Sequence, residues 1–314
     1  MPSLNSFIPF TKICRAIAPV AALCSVFGTV LSQAAPSHAV TQRSLLTPSL
    51  IQSIPITTAV AKAVNRVRGV KPKFCSHMLA LAIDEILEDP RFETAQWGIV
   101  VEPVAEPTVL YQHNRDRALI PASNTKLLTT AAAINLISNR VPEIPVPLNQ
   151  QLIEVNRYSN NSEADALLRQ VGGQRRVNQE LMRLGLRPES YIQVDGSGLS
   201  RSNRMPPSTL ITLLKAMKRH REGVVFYNSL PIAGVNGTLR NRFQNTRLHG
   251  KLHGKTGTLR GVRALSGYLD NADYGTIAFS ILVNQPGQSG QVLTQAIDQI
   301  VLQMAQVNRC NLDS

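Results

Sequence analysis

A serine and a lysine three residues apart can serve as nucleophile and base when a helix begins between them. Pro121-Ala122-Ser123-Asn124-Thr125-Lys126 offers this arrangement, followed by the run Leu127-Leu128-Thr129-Thr130-Ala131-Ala132-Ala133. At helical spacing Ser123 and Lys126 share one face, one turn apart. The helix N-terminus carries about half a positive charge, which disfavours an ammonium and favours an alkoxide. A desolvated Lys126 can therefore lose its proton and act as base toward Ser123. Taken alone, Ser-x-x-Lys equally fits a capping serine followed by a surface lysine. The apolar run behind it matters, because a lysine at the start of a buried helix needs a reason.

Two further clusters could share a cleft with it. Ser159-Asn160-Asn161 sets a hydroxyl and a carboxamide two residues apart, suited to relaying a proton and holding a peptide group; the same pattern also caps helices. Lys255-Thr256-Gly257-Thr258 reads as a strand, with Lys255 and Gly257 on one face and Thr256 and Thr258 on the other. There Gly257 would let a ligand backbone lie close, while Lys255 and a nearby hydroxyl hold an anionic end. An edge lysine that discourages aggregation is the alternative. His249 and His253 are four apart, but Gly250 and Gly254 argue against the helix that would make them a metal pair. No metal or cofactor is expected. The glycines of Asp195-Gly196-Ser197-Gly198 read as a turn behind the cleft rather than a nucleotide loop.

The elements that must position these groups follow from periodicity. Leu79, Ile83, Ile86 and Leu87 mark a helix with Ser76 as its cap and Pro90 as its stop. Residues 97–101 and 108–113 read as strands of a hairpin, and 123–137 as a helix apolar on most faces, hence buried. Helical patterns follow at 162–170, 176–184 and 207–219, then strands at 252–258, 262–269 and 276–284. A last helix places Leu293, Ile297, Ile300 and Met304 on one stripe. The simplest assembly is an α+β domain whose five-stranded sheet unites both ends of the chain, with a helical subdomain of roughly 123–225 inserted.

The first residues point to export. Lys12 and Arg15 precede a short apolar stretch, Ala16 to Leu31, and Ser37-His38-Ala39 offers small residues for cleavage. Residues 1–39 thus read as a signal peptide, 40–72 as a flexible leader and 73–314 as the catalytic domain, placing the protein in the periplasm or outside the cell. No apolar run reaches the ~20 residues of a membrane-spanning helix, so no span remains after cleavage. Lys and Arg number 33 against 20 Asp and Glu, a net charge of +13, which suits a polymer rich in carboxylates. Nucleic acid is not an expected partner: the basic runs at 66–73 and 218–221 lack interleaved aromatics, and only 5% of the chain is aromatic. Cys75 and Cys310 flank the first and last helices, which should pack on one face of the sheet, so a disulfide is expected.

In this order, the three motifs resemble the active-site set of serine penicillin-binding proteins and β-lactamases. The stretches Arg115 to Thr130, Asp195 to Arg201 and Leu230 to Arg240 are most similar to the low-molecular-mass D-alanyl-D-alanine carboxypeptidase/endopeptidase family. The resemblance implies a β-lactamase/transpeptidase-like fold, with a five-stranded antiparallel sheet flanked by helices. It makes Ser123 the acylated nucleophile, Lys126 its base, Ser159 a proton shuttle and Asn161 a ligand for the substrate amide. Lys255 and Thr258 would hold the terminal carboxylate, and the N–H groups of Ser123 and Thr258 would form the oxyanion hole. Peptidoglycan stem peptides are then the substrates and β-lactams covalent inhibitors. One departure is plain: family members usually carry large inserted domains between the first two motifs, whereas Ser123 and Ser159 are only 36 residues apart. A β-lactamase and a catalytically silent peptide-binding relative are the rival expectations. Against the first, none of Glu163, Glu180, Glu189 or Glu222 begins a Glu-x-x-Leu-Asn loop.

Overall fold

Strands rich in Val, Ile and Leu build the centre of the protein, a computed structural model of which describes residues 73–310. The expected signal segment and leader lie outside the described residues. Five strands, β1 (Gln96–Pro103), β2 (Tyr111–His113), β3 (Leu252–Leu259), β4 (Val262–Asn271) and β5 (Gly275–Asn284), form one sheet in the order β2-β1-β5-β4-β3. Every pairing is antiparallel, and β1 lies against β5 with Ile99 opposite Ile281. The N-terminal hairpin and the C-terminal strands thus share one sheet, as the pattern predicts.

Both faces are covered, which is why β1 and β5 are almost wholly buried. On one face, Trp97, Ile99, Val101, Ile281 and Val283 pack with α1 (Ser76–Leu87) and α8 (Gly290–Met304). The expected stripe of Leu293, Ile297, Ile300 and Met304 is buried there. On the other, Val100, Ala264, Tyr268, Ala278 and Leu282 meet α2 (Thr125–Ser138) and α6 (Pro207–Arg219). Every residue of α2 except Ile137 is buried, because α3 (Val146–Asn156), α4 (Asn161–Val171) and α5 (Gly173–Arg183) enclose it. A seven-residue helix, α7 (Gly223–Ser229), completes the helical block.

Some boundaries differ from the periodicity. Ser123 sits not in α2 but in a 3-10 turn, Ala122–Asn124, just before it, because Ala122 adopts φ 48° and bends the chain away from a regular helical start. Ser76 is the first helical residue of α1; Cys75 holds the cap position, and no side chain bonds there. The helix α3 has no counterpart among the helical patterns above, because its prolines break the periodicity. Pro147 in fact lies in its first turn, where a missing N–H costs nothing.

Cys75 and Cys310 form a disulfide, with Cα atoms 5.7 Å apart, and Asn308 N–H donates to the Phe74 carbonyl beside it. The link joins the start of α1 to the end of the chain beyond α8. Replacing both cysteines by serine should lower unfolding stability by about 3–5 kcal/mol, since the bridge closes a long loop. Denaturant melts of the oxidised protein and the double variant measure this. Intact mass with and without reductant checks the bridge, and two free thiols would refute it.

Candidate active site

The turn carrying Ser123 is held from three sides. Gly198, at φ 83°, lies so close that an added Cβ would sit 2.0 Å from the Ala122 carbonyl oxygen. The buried Asn124 side chain donates through Nδ2 to the Lys255 carbonyl oxygen at 3.0 Å. Gly257 faces the same turn: a Cβ there would lie 2.7 Å from the Pro121 carbonyl oxygen. The missing side chain at Gly257 makes room for the Ser123 turn.

Lys126 is fully buried, while Ser123 remains partly open to solvent. The Lys126 Nζ lies 3.0 Å from Ser123 Oγ, 2.7 Å from Asn161 Oδ1 and 2.5 Å from the Ser197 carbonyl oxygen. The last two groups can only accept, so they take two N–H bonds. A neutral amine in this setting turns its remaining lone pair toward the Ser123 hydroxyl. Burial lowers the Lys126 pKa to about 8, against the opposing pull of the Asp165 and Asp195 carboxylates. These two acids build the loop that supplies Ser197. Asp165 Oδ1 accepts from the N–H groups of Gly196 and Ser197, both at 2.9 Å, and Asp195 accepts from Gly198 and Ser200 N–H, both at 2.7 Å.

The second motif arrives on the turn into α4. Asn160 is the cap, its Oδ1 accepting from Glu163 N–H at 3.2 Å, and Asn161 opens the helix. Ser159, at φ 60°, occupies the left-handed region, which costs a non-glycine residue roughly 1–3 kcal/mol. Its hydroxyl lies 2.9 Å from Lys255 Nζ, which also donates to the Thr256 carbonyl at 3.0 Å. Lys255 is completely buried, and desolvation together with the charge of Lys126 pushes its pKa well below the ordinary lysine value. An arriving carboxylate would favour its ammonium form.

The third motif lies on β3, at the edge of the sheet. The first half of its free edge is covered: Ala233 N–H donates to the Leu252 carbonyl and Gly254 N–H to that of Pro231. The two-residue alternation of an antiparallel ladder then sends the N–H groups of Thr256 and Thr258 to that same edge, beyond the covered part. Their side chains alternate to the face opposite Lys255. Thr256 Oγ1 bonds Thr238 Oγ1 at 2.8 Å, and both threonines line a pocket of about 320 Å³ with Arg263 and Thr294. Arg263 lies opposite Thr258 on β4 and has no carboxylate partner among the described residues.

All the expected site residues except Thr258 thus join one connected cluster, Thr256 through its carbonyl alone, and Thr258 sits beside it. Sequence reasoning missed Asn124, Asp165, Asp195, Ser197 and Arg263. The Asp195–Gly198 stretch stood out as a turn, yet nothing in it announced a carbonyl aimed at Lys126. His253 stacks on Tyr227 with ring centroids 3.9 Å apart, and His249 abuts Gly234. Among the described residues no group of three His, Cys, Asp or Glu side chains converges as a metal site would, and no helix is long and apolar enough to cross a membrane.

Residues 79–141 and 145–307 match the model of the D-Ala-D-Ala carboxypeptidase 3 (S13) family, and the break falls on the link between α2 and α3. The chain is 34% identical over 175 residues to a D-alanyl-D-alanine carboxypeptidase of an Actinomadura species, covering 51% of this chain and 32% of that protein. It is 32% identical over 152 residues to D-alanyl-D-alanine carboxypeptidase DacB of Haemophilus influenzae, covering 44% of this chain and 32% of the relative. The match therefore spans about a third of these relatives' length. Among solved structures, penicillin binding protein 4 (dacB) of Haemophilus influenzae superposes with TM-score 0.63 at 14% identity, over 71% of this chain and 99% of that one. The TLA-3 extended-spectrum beta-lactamase gives 0.59 at 16% identity, over 73% and 98%. These likenesses establish the β-lactamase/penicillin-binding fold.

The amine chemistry sets a pH dependence. Only neutral Lys126 can accept the Ser123 proton, so reaction of Ser123 with an acylating probe should rise with pH through about 8 and then level off. Asp165→Asn keeps an oxygen for the Gly196 and Ser197 N–H groups but removes a charge that raises the Lys126 pKa. Its profile should move to lower pH. Stopped-flow acylation across pH 6–10 (about two units either side) measures both, and a shift to higher pH would contradict the electrostatics.

Proposed function

The chain belongs to the D-Ala-D-Ala carboxypeptidase 3 (S13) family, and from that premise we propose that it is an exported serine D-Ala-D-Ala carboxypeptidase acting on peptidoglycan stem peptides. Endopeptidase cleavage of cross-links by the same site belongs to this reading. The observation that carries it is the Lys126 amine, 3.0 Å from Ser123 Oγ with two carbonyl acceptors fixing its other bonds.

In the first half-reaction Lys126 takes the Ser123 proton and Oγ attacks the carbonyl carbon of the penultimate D-alanine. The oxyanion forms between the N–H groups of Ser123 and Thr258, worth about 3–4 kcal/mol per donor in comparable sites. Asn161 offers its free N–H to the substrate amide. The C–N bond breaks as the Ser159 hydroxyl protonates the leaving amine and is itself reprotonated from the neighbouring lysine pair. Water then attacks the ester with Lys126 as base, releasing the shortened peptide acid and Ser123. The terminal carboxylate sits by Lys255 and the threonine edge of β3, where Arg263 adds charge. The excess of Lys and Arg over Asp and Glu favours approach to a carboxylate-rich wall.

The glutamates between the second and third motifs argue against efficient β-lactamase action. Glu163 bonds Gln151 at 3.0 Å, and Glu180 is buried against Asn135, Arg176 and Arg183. Glu189 and Glu222 lie 3.9 Å from Arg187 and Arg221. None offers a second base for water, and a penicilloyl group, whose leaving amine stays tethered, obstructs water beside Lys126.

Two measurements test this reading. A fluorescent penicillin should label the protein covalently, Ser123→Ala should abolish the label while folding normally, and Lys126→Ala should slow labelling by about 10²–10⁴-fold or more. Wild-type protein should release D-alanine from a stem pentapeptide with turnover, yet retain the penicilloyl adduct for minutes. Labelling of Ser123→Ala would move the nucleophile elsewhere. Rapid loss of the adduct without D-alanine release would make the protein a β-lactamase, and no label at all a silent binder.

A further inference from the structure

An oxyanion hole built from the N–H groups of Ser123 and Thr258 draws on two segments 135 residues apart in sequence. Their separation must be fixed to a fraction of an ångström, because a misplacement of about 1 Å costs roughly 10²-fold in rate. The side chain that bridges them is Asn124, which follows the nucleophile and donates to the Lys255 carbonyl at 3.0 Å. We infer that Asn124 is a positioning residue that clamps the Ser123 turn to β3 and so sets the width of the oxyanion hole. The inference rests on the functional reading above, since it gives that site its rigidity.

Three observations support a clamp rather than an ordinary buried amide. Asn124 is fully buried, yet its Oδ1 has no hydrogen-bond partner among the described residues. A buried acceptor left unpaired costs about 1–3 kcal/mol, so Asn124 does not serve stability alone. The turn it ends is strained, with Ala122 at φ 48°, and needs an outside contact to stay seated. The surface opposite is shaped for close approach, because Gly257 leaves room where a Cβ would stand 2.7 Å from the Pro121 carbonyl oxygen and 3.2 Å from Asn124 Nδ2. Donor, strain and missing side chain together press one turn against one strand. The Asn124 side chain hydrogen-bonds neither Ser123 nor Lys126; it acts through the position of two backbone N–H groups.

Asn124→Leu keeps the branching and number of side-chain heavy atoms, removes the donor and also removes the unpaired acceptor. Removing both polar atoms together keeps the cost in thermal stability small. Its penicillin acylation rate constant, per active site titrated, should fall about 30–300-fold, the scale of damage to an oxyanion donor. The initial non-covalent affinity and the pH midpoint near 8 should not move, because the partners of Lys126 are untouched. Gly257→Ala, which forces the turn off the strand while retaining Asn124, should show the same pattern and serves if the leucine variant fails to fold. Wild-type acylation rate constants in both variants would overturn the clamp, as would a rate loss explained by fewer titratable sites. Absence of any acylation of Ser123 in the wild-type protein would overturn the functional reading, and the clamp with it.

Discussion

The buried amine of Lys126 is the interaction on which the rest depends. A lysine with no exposure to water is tolerated only if its polar atom is met, and three separate segments meet it: the Ser123 turn, the start of α4 and the Gly196–Gly198 loop. Each contact brings a requirement of its own. The loop carbonyl must be aimed inward, so Asp165 and Asp195 hold its N–H groups from behind. Their charges then limit how far burial can depress the amine. The balance lands at about 8, where an amine can both take up and give back a proton near neutral pH.

A second lysine repeats the theme under a different constraint. Lys255 is also fully buried, close enough to Lys126 for their charges to interact, and both cannot comfortably be cations without an anion present. Under the proposed function a substrate carboxylate would relieve this and couple binding to protonation, and Ser159 stands at that junction with its strained backbone. The free edge of β3 is short because Pro231 and Ala233 cover its first half, which leaves only the stretch from Thr256 onward open.

The remaining architecture keeps these contacts rigid. The sheet carries α2 on one face, and the α1–α8 layer with its disulfide backs the other, so a shift of β3 relative to the nucleophile turn would disturb both layers. Close approach is achieved by omission: Gly198 and Gly257 let backbone meet backbone where any side chain would collide.

Much of this was legible in the residues alone. Alternating and helical periodicities located all five strands and most of the helices, because burial on a sheet face or helix stripe is written directly into the chain. Ser123, Lys126, Ser159, Asn161 and Lys255 stood out by type and spacing, and the cysteine pair by its position around the outer helices. Short α7 and proline-masked α3 escaped, since local signals there point to a link. What tertiary structure decided is which atoms face one another. That Lys126 is met by the Ser197 carbonyl, that Gly257 yields space to Pro121, and that Asn124 ties the turn to β3 depend on segments tens to hundreds of residues apart. Backbone carbonyls and absent side chains carry no sequence signature; their role exists only once packing has brought them within 3 Å or so of a partner.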